Sequence, residues 1–321
     1  MTTYADVLAA VLSLDAYNRG YNPELNFAAN SDASGTAIGD ATVVQSEASP
    51  NSSFYAVAYE WQGETIIAFR GTVFAGSPDL GDVLNGWTLS GGYDGAAQAQ
   101  LALDFYATIG NEHLQTNGVP NDLLLTGHSL GGGLAGFVAD VAGTPATVFD
   151  DIPFGPAVVA DILALDHAQG MGSYYYALLD GGRDPVTGKQ YQAVPGSSAN
   201  INQFIVFGEV ATGLRAASFG ISQGLFMAET ADPVLAAIMA ARGAILDNTV
   251  NSTTLQSYAG LGSSPIDLHS QALMTLLTYA DWQQDTAWQS IGVALNLAFG
   301  NAQVADALGG QWHVHDGQLA R

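Results

Sequence analysis

NDLLLTGHSLGGGLAGFVA, residues 121–139, runs from an apolar strand-like stretch into a helix of small residues, with Ser129 at the junction between two glycines. Leu123, Leu124 and Leu125 suit a buried parallel strand. Gly127 and Gly131 lack the side chains that would obstruct a sharp strand-to-helix turn around the serine. Such a turn leaves the hydroxyl protruding. It also points the backbone N–H of Leu130, with the positive end of the next helix, at the space where a tetrahedral intermediate would carry negative charge. A nucleophilic serine with half of an oxyanion hole is therefore expected here.

The pattern needs its context to mean anything, because a chain with 38 glycines in 321 residues produces a bare G-x-S-x-G by chance roughly a few tenths of a time. A second match, Gly220-Ile221-Ser222-Gln223-Gly224, supplies the control. It follows ATGLRAASF, which is neither an apolar strand nor a turn entry, and it lacks the glycine run after Ser129. Ser129 is selected, with Ser222 as the lesser alternative.

Strands and helices alternate around this elbow. After an N-terminal segment, MTTYADVLAAVLSLDAY, which reads as an amphipathic helix, a loop covers residues 20–40. ATVVQS, SFYAVAYEW and ETIIAFRGT are three β-rich segments, with a tight turn at Gln62 and Gly63. A long helix is expected over about residues 94–113, then the elbow, then strands at ATVFDD and INQFIVFGE. Between these last two lies an insertion holding Tyr174, Tyr175 and Tyr176 and the turn-rich GGRDPVTGK. Helical periodicity is read from about residue 233 to the end. The pattern implies one α/β domain over residues 1–321, with a mostly parallel sheet covered on both faces. Insertions are expected at about residues 73–92, 157–200 and 216–265, and neither an internal repeat nor a linker is found.

Composition narrows the partners. A formal charge of -23, from one lysine and six arginines against 30 acids, removes the basic footprint that nucleic acid or an anionic membrane would require. With no cysteine, disulfides and thiolate chemistry are excluded and stability must come from packing. No apolar run reaches the length of a transmembrane span, and the start lacks the basic region of a secretory signal. An acidic, lysine-poor, glycine-rich chain fits extracellular export by a signal-independent route, with a cytoplasmic enzyme from a salty or acidic setting as the alternative. The glycine-rich calcium-binding nonapeptide does not occur. His313 and His315 alternate as strand ligands could, but lack a third ligand nearby, so neither a metal nor another cofactor is expected.

A serine hydroxyl attacks only when a base takes its proton, and that base needs an acid to fix its tautomer. Of six histidines, His269 in SSPIDLHSQAL sits on a loop entering a helix downstream of the serine, in keeping with the Ser, acid, His order of sheet hydrolases. The acid should lie just beyond a later strand. Glu209 directly follows FIVFG and is preferred over Asp150 and Asp151, which read as caps of the sheet edge, and over Asp184, Asp232 and Asp247. Thr72, after IIAFRG, can offer the second oxyanion donor. Arg70 beside it reads as a structural arginine paired with a carboxylate.

IIAFRGT, LLLTGHSLGGGLA and DLHS together resemble the class 3, fungal-type triacylglycerol lipases and their bacterial relatives, over roughly residues 54–280. The resemblance implies an α/β-hydrolase fold, Ser129 and His269 as nucleophile and base, and Thr72 and Leu130 as the oxyanion hole. VFGEVATGLR resembles the segment bearing the family's acid, where aspartate is usual and this chain has Glu209. PFGPAVVA resembles the family's glycine-proline turn, and residues 73–92 correspond to its lid, read either as a flap opening at a lipid or polymer surface or as a loop stapled to the core by Trp87. The expected activity is hydrolysis of lipid-like carboxylic esters through an acyl-enzyme. Lipase, short-chain esterase, phospholipase A1 and polyester hydrolase stay open, as does a catalytically silent binding protein; the oligomeric state is left unassigned.

Overall fold

The computed structural model describes residues 2–20, 37–38, 41–72, 86, 89, 96–117, 123–142, 144–154, 200–206, 209–211, 213–215, 249–255, 269, 271–283, 313–315 and 318–320. Most of the three expected insertions, Ser222, Asp184, Asp232, Asp247, His167, Trp87 and Tyr174 to Tyr176 lie outside these residues.

Eight strands form one sheet in sequential order. They are β1 (Ala37–Ile38), β2 (Ala41–Ser49), β3 (Phe54–Trp61), β4 (Glu64–Phe69), β5 (Leu123–His128), β6 (Ala146–Phe149), β7 (Asn200–Val206) and β8 (Thr249–Leu255). The first four pair antiparallel, as short connections allow. Between β3 and β4 the two-residue turn has positive φ at both Gln62 (52°) and Gly63 (88°), the backbone whose twist matches a tight hairpin. From β4 to β8 every neighbouring pair is parallel, and parallel strands require crossovers long enough to hold a helix.

Two described crossover helices do this, α2 (Ala97–Asn117) between β4 and β5 and α3 (Leu130–Ala142) between β5 and β6. They pack on each other and on one face of the sheet, burying Phe69, Leu103, Phe105, Leu125, Leu134 and Phe137 in the main apolar cluster. The other face carries α1 (Tyr4–Gly20) and α4 (Gln271–Gln283), which also pack together. Period-2 alternation explains the division: Leu123 and Leu125 face the α2–α3 cluster, whereas Thr126 bonds the Ala9 carbonyl and Ser13 of α1. A mostly parallel sheet with helices on both faces, a helix leaving β5 through a serine, and an antiparallel leading edge is the α/β-hydrolase architecture.

Three expectations need correction. Helix α1 is buried well beyond a single stripe, with Val7, Leu8, Ala9, Leu12, Asp6, Ser13 and Asp15 all inside. It is sandwiched between the sheet and α4, so its polar residues find internal partners: Asp15 accepts from Tyr59 at 2.7 Å, and Thr3 with Asp6 forms a reciprocal N-terminal cap. Residues 249–255 are strand β8, inside the region read as helical. TVNSTTL holds three threonines and a valine, and the open flank of β7 supplies the pairing that local periodicity cannot reveal. His313–His315 and Gln318–Ala320 form a separate antiparallel hairpin, β9 and β10.

Candidate active site

Ser129 separates β5 from α3 with φ at 56°, a left-handed backbone that a residue with a side chain adopts only when its surroundings dictate it. Those surroundings are explicit. The Ser129 N–H donates to the Phe149 carbonyl at 3.0 Å, and its own carbonyl accepts from Gly133 and from Ile152, both at 3.0 Å. Neighbouring glycines let the turn close: a Cβ at Gly127 would fall within 3.0 Å of the Gly131 backbone, and one at Gly131 within 3.0 Å of the Phe69 and Arg70 backbone. Serine is thus pinned on β6 and wedged against the end of β4.

Its hydroxyl meets an imidazole. Nε2 of His269 lies 2.8 Å from Ser129 Oγ, and Nδ1 of the same ring lies 2.8 Å from Glu209 Oε2. His269 lies two residues before the first residue of α4, which is fastened to α1 by Gln271 Nε2 donating to the Ala10 carbonyl at 2.8 Å. Glu209 sits just past β7, the second strand beyond the elbow. The structure therefore brings together three side chains from three separate parts of the chain.

Glu209 is held from several sides. Oε2 also accepts the Ala211 N–H at 2.6 Å, and Oε1 takes the Arg215 guanidinium. A single helical turn, with the Arg215 N–H on the Ala211 carbonyl at 2.9 Å, folds that arginine back over the carboxylate, and its second arm reaches the Asp151 carbonyl at 2.6 Å. Burial alone raises the Glu209 carboxyl, but its hydrogen bond to His269, the Arg215 charge and the Ala211 N–H outweigh it and hold Glu209 below its ordinary value. It is a buried carboxylate that stays ionised.

Leu130 is the first residue of α3, so its N–H has no intrahelical acceptor. Thr72 is buried three residues past β4. The segment between them is close to the elbow: a Cβ on Gly71 would lie 2.5 Å from the His128 carbonyl. Arg70 donates to the Ser53 carbonyl at 2.5 Å and lies over the Tyr55 ring.

Asp150 and Asp151 do not cap an edge, because β6 is an interior strand between β5 and β7. Asp150 Oδ1 accepts the Val206 N–H at 2.8 Å and Asp151 accepts from Gln203 at 2.8 Å, tying β6 to β7. Burial, then the nearby Glu209 charge, pushes Asp150 well above the ordinary carboxylate range. His128, behind the serine, packs its ring 4.8 Å from that of His269 and bonds Tyr17 Oη through Nδ1 at 3.0 Å. Burial and the facing His269 keep it neutral, well below the ordinary imidazole value. Sequence reading gave no role to Arg215, set His128 aside as a base and weighed Asp150 only as an alternative acid. For Arg215 a signal existed: an arginine six residues after the acid in a chain with only seven basic residues.

The fold is of the α/β-hydrolase class, and the family to which the chain belongs makes it a lipase-like ester hydrolase. The family model for the Tle-like phospholipase domain matches residues 8–260, and the chain belongs to that phospholipase-like family. No curated protein matches it. Among solved structures it is similar to lipase II from Rhizopus niveus, at 14% identity over 68% of this chain and 78% of that one with a TM-score of 0.39. A fungal lipase–inhibitor complex compares at 15% identity, 68% and 77% coverage and a TM-score of 0.39. Lipase from Rhizopus microsporus var. chinensis gives 14%, 68% and 72%, and 0.38. Among the described residues no helix is long and apolar enough to cross a membrane.

Proposed function

We propose that the chain is a serine carboxylic ester hydrolase acting on lipid esters, with phospholipids as the first substrate class to test because the family is phospholipase-like. The observation that carries this reading is the continuous chain of two 2.8 Å hydrogen bonds from Ser129 through His269 to Glu209. His269 Nε2 takes the Ser129 proton as Oγ attacks the ester carbonyl. Glu209 holds the Nδ1–H, which fixes the tautomer and stabilises the imidazolium that forms. The carbonyl oxygen, now anionic, is met by the N–H groups of Leu130 and Thr72. The imidazolium proton passes to the departing alkoxide, leaving an acyl-Ser129 and a free alcohol. Water then adds under the same base, releasing the carboxylic acid and restoring the serine.

A fluorophosphonate probe tests the nucleophile: stoichiometric labelling of Ser129, lost in Ser129→Ala, supports the reading, and an unlabelled folded protein refutes it. Fatty-acid release from phosphatidylcholine vesicles against triacylglycerol emulsions, with nitrophenyl esters of rising chain length, assigns the substrate. Extracellular location, proposed from composition, is tested by fractionating cultures of the producing cells.

A further inference from the structure

Two buried polar atoms beside the serine have no hydrogen-bond partner, Nε2 of His128 and Oδ2 of Asp150. Their residues are 4% and 0% exposed, and a buried polar atom without a partner needs an occupant or an explanation. With His269 they form a triangle in which one ligand atom from each residue lies within 4.8 Å of the others. Two imidazole nitrogens and a carboxylate oxygen are the donor set of borderline divalent cations.

Each donor is already oriented. The Tyr17 hydroxyl donates to the His128 carbonyl at 3.4 Å and sits 3.0 Å from Nδ1. Nδ1 is the nitrogen held by Tyr17, which leaves Nε2 as the one without a hydrogen-bond partner. Such an outer bond on the non-ligating nitrogen is how metal-binding imidazoles are held. Asp150 Oδ1 is engaged by the Val206 N–H, which leaves Oδ2 for a ligand.

We propose that His128, Asp150 and His269 form a binding site for a borderline divalent cation of the zinc type, and that its occupation withdraws His269 from Ser129 and arrests ester hydrolysis. Metal–ligand bonds of about 2.0–2.2 Å require the triangle to contract by roughly 1 Å. His269, the partly exposed corner on the turn before α4, supplies that movement and the route of entry. The binding arm stands independently of the hydrolase reading; the arrest rests on it.

The test is calorimetric titration of the chelator-treated full chain with Zn²⁺ in millimolar Ca²⁺. Calcium occupies surface carboxylates of this acidic chain but does not suit imidazole. The expected result is one site per chain, weakened at least tenfold in His128→Gln and in Asp150→Asn, with bound Co²⁺ giving the visible bands of nitrogen ligation. Saturating Zn²⁺ should slow fluorophosphonate labelling of Ser129 at least tenfold, reversibly with chelator. If His128→Gln does not fold, the isosteric Asp150→Asn decides alone. Absence of a one-to-one site, or unchanged affinity in the folded variants, overturns the site. Variant-sensitive binding with undiminished labelling overturns the arrest. Failure of Ser129 to label even without metal sinks the hydrolase reading, while calorimetry still decides the site.

Discussion

Shortening Glu209 to aspartate keeps the charge and removes one methylene, about 1.5 Å of reach. The backbone there is anchored, with the Glu209 N–H on the Val206 carbonyl at 3.3 Å and Ala211 N–H on the carboxylate. The 2.8 Å contact to His269 Nδ1 should therefore open to roughly 4 Å, outside hydrogen-bond range. Losing a hydrogen bond to a charged group costs about 1.5–3 kcal/mol. If that bond orients the base only in the reacting complex, kcat/KM should fall roughly 10- to 100-fold. Glu209→Gln keeps the length but can present a donor to Nδ1 and favour the wrong tautomer, so a larger fall of roughly 10³–10⁴ is expected, as in the serine-protease precedent for an amide at this position. Initial rates on a nitrophenyl ester, with circular dichroism to establish folding, measure both. Wild-type rates in Glu209→Asp, or a smaller loss in Glu209→Gln than in Glu209→Asp, would refute Glu209 as the acid.

Arg215→Met leaves Glu209 buried without its guanidinium and should cost about 3 kcal/mol in urea denaturation at neutral pH. Because Glu209 is held below its ordinary value, the stabilisation is present above that value and lost as pH falls through the folded one, so the deficit of the variant should narrow in acid. Asp150 has the opposite sign. Its folded value is raised, so the wild type loses stability as pH climbs from the ordinary carboxylate range through that raised value, and the thermal-midpoint advantage of Asp150→Asn should grow over the same interval. Gly131→Ala forces a methyl against the Phe69 and Arg70 backbone, where no side chain can yield, and should destabilise by roughly 3 kcal/mol or prevent folding, read by thermal melting.

Local chemistry made part of this molecule legible. The elbow around Ser129 is written in residues that touch one another along the chain: an apolar strand, two glycines and a small-residue helix. The β2–β4 meander is equally local, since alternation and the Gln62-Gly63 turn set it without distant partners. Strand β8 was hidden because TVNSTTL becomes a strand by pairing with β7, a neighbour that periodicity within the segment does not register. Helix α1 was misjudged in the same way, its second buried side existing only because α4 docks there.

By itself, then, the sequence determined the α/β class, the position of a strained serine and a short set of candidate bases and acids. Tertiary structure alone decided that His269, 140 residues from Ser129, stands within a hydrogen bond of it. It also decided that Arg215 and Ala211 keep a buried glutamate ionised, and that burial pushes Asp150, two strands from any edge of the parallel half, well above the ordinary carboxylate range. The physical reason is range: propensity and turn chemistry act over a few residues, whereas desolvation and the distance between charges are set only once the sheet has brought the ends of β5, β6 and β7 side by side.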